Sequence, residues 1–328
     1  MNRSLLISVV ALTIAIGSRD AVAQATPATV PKGESRQVLD TAFVAVRRGP
    51  ATYSRGTGPL VLIDEAHHNF HTAGGRYRPF ARLLESDGLR VAANTRQLAA
   101  AVLANARVLV VANALNQRNE RQSDWRLPAL SAFDDSEIAA TVAWVRNGGS
   151  LLIIADHMPF AGAATKLAAA FGIHFFNGYA LWGEADPRTG DYPITFRRSD
   201  GTLRANAIVD GGIPTARVDS IESFTGSAFW IDSPAALPIM RLPTKTRIMM
   251  PVVAWQFSDS TATVAGDGLL QGGALTFGRG RVAVFGEAAM FTAQRKGEAS
   301  VPMGMNAPAA SQNAQFVLNV VHWLVRSK

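Results

Sequence analysis

Four short runs of almost wholly apolar residues, at 60–63, 107–112, 150–155 and 281–285, constrain this chain of 328 residues more than any other feature. A run without polar alternation has no face to show to water, so it predicts a strand covered on both sides, as in a parallel sheet between helices. The segments between the runs carry the other period. Tyr77, Phe80, Ala81, Leu83 and Leu84 recur at helical spacing up to Asp87-Gly88, where glycine suits a left-handed cap. Residues 89–93 read as a further strand and 96–104 as a helix. Asp134 or Asp135 caps a helix with Ile138, Val142 and Val145 on one face, ending at Asn147-Gly148-Gly149. Residues 162–171 and 312–325 read as the last two helices. Strands alternating with helices at this spacing predict an α/β fold of three layers around a mostly parallel sheet.

The ends and the middle read differently. Arg3, an apolar stretch at 5–16 and Ala21-Val22-Ala23 before Gln24 have the pattern of a secretory signal over residues 1–23. The protein is therefore expected to be secreted or periplasmic, with no membrane span once that segment is cleaved, because the stretch is shorter than the roughly 20 residues that cross a bilayer. Residues 24–58 read as a leader or linker, and 59–328 as the main domain. Within it, about 174–275 holds glycine, proline and short alternating runs, and is expected as a β-rich insertion. The chain has no cysteine, which excludes disulfides and a thiol nucleophile. Its formal charge is +7, spread over scattered basic pairs such as Arg47-Arg48 and Arg197-Arg198 without interleaved aromatics, so no nucleic-acid partner is expected.

The polar residues converge on strand exits. The first apolar run breaks into Asp64, Glu65, His67, His68 and His71, five ionisable residues in eight positions and half of the six histidines of the chain. The third strand delivers Asn113 and Asn116, the fourth Asp156-His157, and the last Glu287. In an open parallel sheet, ligands bind beyond the carboxyl ends of the strands. With strand order 2-1-3-4-5, the first and fourth exits stand about 10 Å apart, at ~4.8 Å per step, and Glu287 borders the Asp156 side. Three chemistries fit these residue types. Asp64, Glu65, His67, His68, His71 and His157 supply the imidazole and carboxylate ligands that suit a divalent metal such as zinc. His67, Asp156, His157 and Glu287 could instead run acid–base catalysis without metal. Recognition alone is the third, with Tyr179, Trp182, Tyr192, Trp230 and Trp255 as walls for a sugar-like ligand. No Gly-x-Ser-x-Gly elbow and no Walker or dinucleotide glycine frame is present.

Three blocks resemble a known superfamily: Ile63-Asp64-Glu65-Ala66-His67-His68-Asn69; Trp144 through Asn147-Gly148-Gly149 to Asp156-His157; and Gly280 through Phe285-Gly286-Glu287 to Phe291, with residues 319–324. Over 60–175 and 275–326 the chain resembles the class I glutamine amidotransferase-like superfamily, in particular exported bacterial domains related to trehalose-utilisation and intraflagellar-transport GIFT domains. The resemblance implies a flavodoxin-like sheet. It also implies that the superfamily's nucleophilic cysteine would stand where this chain has Asp156-His157, and that its His-x-Glu element is represented at most by Glu287. The expected function is accordingly an exported amidotransferase-like domain without the catalytic cysteine, binding a small molecule, carbohydrate or cell-wall fragment in the cleft at the strand ends. The alternative is a zinc-type hydrolase built on His67, His71, Asp156 and His157; any enzyme here would be a hydrolase without a cysteine nucleophile.

Overall fold

In the computed structural model, residues 37–189 and 192–326 are described; the expected signal segment lies outside them. Among the described residues, no helix is long and apolar enough to cross a membrane. The elements that place the site run in chain order as β1 (Leu60–Asp64), α1 (Arg78–Ser86), β2 (Arg90–Asn94), β3 (Val108–Ala112), α2 (Asp135–Arg146), β4 (Ser150–Ile154) and α3 (Phe160–Ala169). They continue with β5 (Ile173–Phe176), β6 (Ala228–Ile231), β7 (Ala236–Arg241), β8 (Leu270–Phe277), β9 (Gly280–Phe285) and α4 (Asn313–Val325).

The nine strands form one sheet in the order β2-β1-β3-β4-β9-β8-β6-β5, with β7 also paired to β8. The pairings from β2 across to β9 are parallel. Those of β8 with β9, β6 and β7, and of β6 with β5, are antiparallel. The sheet is thus mixed, which corrects the expectation of a mostly parallel one. The reason is the turn at Gly278-Arg279: it joins β8 to β9 as a hairpin, and a hairpin can only be antiparallel. Alternating runs in the sequence announce such strands but not the edge they join. Of the other strands between β4 and β9, Tyr179–Trp182, Thr246–Met250 and Ala262–Ala265 form a small sheet of their own, and Ile194–Arg197 pairs with Ser220–Ser223.

Side chains of the parallel strands alternate between two apolar clusters. Val61, Ile63, Val108, Val110, Leu152, Ile154, Ala283 and Phe285 pack with Phe80, Leu83 and Leu84 of α1 and with Phe316, Val320 and Leu324 of α4. Leu62, Leu109, Val111, Leu151, Ile153, Val282 and Val284 pack on the other side with Val145 of α2 and Leu167 of α3. Each such side chain contributes about 1.5–3 kcal/mol by leaving water, which is why the runs carry no polar residue. The helix ends are fixed chemically. Asp134 is the N-cap of α2, its carboxylate accepts the Glu137 N–H at 2.8 Å, and Glu137 returns the bond to the Asp134 N–H at 3.1 Å.

The turn from α2 into β4 is locked to β9 by a glycine. A Cβ built on Gly280 would stand 2.1 Å from the carbonyl oxygens of both Gly149 and Val145. Gly280→Ala is expected to force these turns apart and to destabilise the fold by at least the ~1–3 kcal/mol typical of overpacking. Urea unfolding checks this: the midpoint should fall with the slope unchanged, and an unaltered midpoint would mean that the turns do not bear on each other.

Candidate active site at the strand carboxyl ends

His67 sits where β1 ends and is buried between two carboxylates. Its Nδ1 lies 2.8 Å from Asp64 Oδ2 and its Nε2 lies 2.9 Å from Glu137 Oε1. A carboxylate only accepts, so both ring nitrogens donate and the ring is an imidazolium. Burial alone would lower its pKa, but the hydrogen bonds and charges of Asp64 and Glu137 prevail and raise it above the ordinary value. Glu137 Oε1 also accepts the Leu98 N–H at 2.9 Å, so this histidine ties β1, the segment before β3 and the start of α2 together. A ring with both nitrogens engaged has no lone pair for a metal and none with which to take up a proton. This corrects the readings of His67 as ligand and as catalytic base.

The remaining members of the expected metal set do not converge either. Asp64 is spent on His67 and Asn94, and Glu65 Oε1 accepts the Ala73 N–H at 2.7 Å. His68 is exposed and pairs with Glu120 at 3.3 Å. Among the described residues, no group of three or more ligating side chains could hold a metal ion. The donor set present therefore does not fit zinc, and the zinc-hydrolase alternative lacks its site. The cause is burial: each carboxylate near the β1 exit is needed by a backbone amide or by an imidazolium.

A second group does converge. β4 and β9 are in register from Ser150 opposite Arg281 to Ile154 opposite Phe285, so Asp156 and Glu287 leave the sheet side by side. Glu287 is fully buried and accepts the N–H groups of Ala289 at 2.7 Å and Met290 at 2.8 Å. Burial, then the charge of Asp156, push its pKa well above the carboxylate range; burial likewise raises that of Asp156. Two carboxyls this close to each other in an apolar setting cannot both ionise, so the pair holds a proton where isolated acids have lost it. Tyr77, the residue before α1, lies over the pair with its hydroxyl donating to Ala288 O at 3.3 Å. Burial and the two acids keep that phenol protonated.

Two imidazoles flank these acids. His157 Nδ1 is 2.7 Å from Met158 O, and a carbonyl can only accept, so Nδ1 donates there. His71 is buried with its ring against Tyr77 at 4.7 Å between centroids. Burial, Arg76 and His157 lower its pKa well below the ordinary value. Aromatic rings roof the group. Tyr179 stacks on His157 at 4.8 Å and Trp255 meets its edge at 4.6 Å, while Phe70 bridges His71 and Trp125 at 5.5 Å each. The roof is held by two loops that bond to each other, Leu127 N–H to Val252 O at 2.9 Å and Ala254 N–H to Trp125 O at 2.8 Å. Trp182 and Trp230, expected as pocket walls, are instead half exposed, and Trp230 stacks on His174.

The arrangement thus unites His71, Asp156, His157 and Glu287 and leaves out Asp64, Glu65, His67 and His68. Asn113 completes it: its Oδ1 accepts the Asp156 N–H at 2.9 Å and its backbone takes φ of +46°. Sequence reasoning missed Tyr77, Trp125 and Glu137. Only Glu137 left a legible signal, the Asp-x-x-Glu of a capping box; Tyr77 and Trp125 look like core and loop residues until the chain folds.

No family model and no curated protein matches this chain. Among solved structures it is similar to the mmIFT52 N-terminal domain, with TM-score 0.54, 12% identity, and coverage of 82% of this chain and 98% of that one. Its structural neighbours also include ThuA-like proteins at low identity. One is from Bacteroides uniformis ATCC 8492, with TM-score 0.46, 12% identity, and coverage of 85% and 97%. Another is from Parabacteroides merdae ATCC 43184, with TM-score 0.40, 10% identity, and coverage of 82% and 90%. The first likeness shows an α/β fold and nothing of the chemistry.

The doubly paired His67 has a pH signature. Its folded-state pKa lies above the ordinary 6.5, so its charge stabilises the fold fully below that value, and the stabilisation is lost as pH rises through the folded pKa. Comparing urea unfolding of the protein and of His67→Gln should give a difference that is largest near pH 6 and shrinks toward pH 9. A difference independent of pH would show that the ring is not charged.

Proposed function

We propose that this chain is an exported domain of flavodoxin-like, amidotransferase-like architecture that binds a small hydroxyl-rich ligand, a carbohydrate or cell-wall fragment, at the carboxyl ends of its parallel strands. One observation carries the reading. His71 Nδ1, Asn113 Nδ2 and Trp125 Nε1 are buried with no hydrogen-bond partner among the described residues. All three belong to residues bonded to, or ring-packed with, Phe70 or the Asp156-His157 loop. An unpaired buried polar atom costs about 1–3 kcal/mol, and a ligand bearing hydroxyl oxygens would repay it. Carboxyls that grip hydroxyls, below rings that cover the apolar face of a pyranose, are what such a ligand requires. The strained φ of +66° at Trp255 and +46° at Asn113 supports the same place, since strain of this kind gathers at ligand clamps. The signal-like segment at 1–23 supports export. With no cysteine in the chain, hydrolysis of glutamine by a thiol is excluded.

The proton held by Asp156 and Glu287 favours a second reading, acid–base hydrolysis without metal or thiol, in which the pair donates to a leaving group and a neighbouring imidazole, His71 or His157, takes the proton of the attacking water. A panel of sugars and muropeptides separates the two. Binding at a hundred times Kd should stabilise the protein by about 2.7 kcal/mol, seen as a raised melting temperature. Asp156→Asn and Trp255→Ala should each abolish the shift. No shift across the panel would sink the binding reading, whereas a shift accompanied by cleavage, with a rate that falls in Glu287→Gln, would select the second.

A further inference from the structure

The amino ends of the strands form an opposite pole with its own chemistry. Helices α1 and α4 return there, so that Asp87 at the end of α1 and Arg326 at the end of α4 meet across a cavity of about 420 Å³. Arg47, Arg48, Tyr53, His322, Arg326 and Ile213 are among the residues that line it. Its one lining carboxylate is already taken. Asp87 Oδ2 is 2.7 Å from His322 Nε2, while Oδ1 accepts the N–H of Thr52 at 3.0 Å and its hydroxyl at 3.2 Å. None of Arg47, Arg48 and Arg326 forms an ion pair with a carboxylate among the described residues. Arg47 donates to Gly49 O at 2.8 Å.

Two further guanidiniums raise the positive potential behind the cavity. Arg107 donates to Val325 O at 3.0 Å, and both it and Arg281 donate to Arg326 O, so they cap the last carbonyls of α4. Burial and then the charges of Arg107 and Arg326 depress the pKa of Arg281, as expected where cations crowd together. Arg326 itself is placed over a turn: a Cβ on Gly212, whose φ is +80°, would come 2.9 Å from its Nη2. Uncompensated arginines around a cavity of ligand size match the planar, bidentate recognition of an oxyanion. Tyr53 and Ile213, the latter 57% exposed, offer an apolar wall beside them.

We propose that this basal cavity binds a small organic anion, a carboxylate or phosphate ester, whose charged group is held by Arg48 and Arg326 and whose apolar body lies against Tyr53 and Ile213. The site is independent of the one at the strand carboxyl ends.

Calorimetric titration of the full chain with phenyl phosphate and with benzoate tests it and tells the two anion classes apart, with benzyl alcohol as the neutral probe. At least one anion should bind and benzyl alcohol should not. Arg48→Gln and Arg326→Gln should each weaken binding by about tenfold, and raising the salt should weaken it further. Lys166→Gln removes an exposed charge elsewhere and should bind as the parent does. The proposal is overturned if neither anion binds, if benzyl alcohol binds equally well, or if the arginine variants, folded by circular dichroism, keep the parent affinity.

Discussion

A sheet covered on both faces leaves only its two ends for polar chemistry, and the rest of this molecule follows from that. From β1 to β4 and on to β9, the strand interiors are buried in one apolar cluster or the other. Charged groups are therefore driven to the poles. Acids and imidazoles gather where the strands end, and guanidiniums gather where the helices return. At each pole the connecting segments decide which groups are satisfied by the protein and which remain for something else.

Histidine shows how this division works. His67 and His157 leave strands one neighbour apart in the same sheet, yet they meet different partners. His67 meets two carboxylates, is charged, and serves as a tie between loops. His157 meets a carbonyl and a stack of rings, with no second carboxylate bond of the kind that holds His67 among the described residues. A doubly paired imidazolium adds stability and gives up reactivity. His157 instead borders the exit where Asp156 and Glu287 hold a proton between them.

The roof over that exit comes from chain remote in sequence. Trp125 follows β3, Trp255 lies between Met250 and Ala262, and the two loops are joined by backbone bonds. Positive φ at Trp255 costs about 1–3 kcal/mol, which the packing of its ring against His157 and Tyr179 offsets.

The sequence by itself determined the strands at 60–64, 108–112, 150–154 and 280–285 and the helices between them, because uninterrupted apolar runs and helical periodicity are local patterns set by burial. It also marked the polar strand exits, since parallel topology sends them to one end. Only the tertiary structure decided what those residues do. Whether a histidine is a tie or a reactive ring depends on its acceptors, and Glu137 reaches His67 from 70 residues away. Whether Asp156 and Glu287 share a proton depends on the register of two strands separated by more than a hundred residues of chain. The alternating runs within 173–277 likewise named strands without naming partners, because a period of two fixes which face a side chain takes and leaves the neighbouring strand open. Local patterning fixes burial; pairing, protonation and convergence belong to contacts that exist only once the chain has folded.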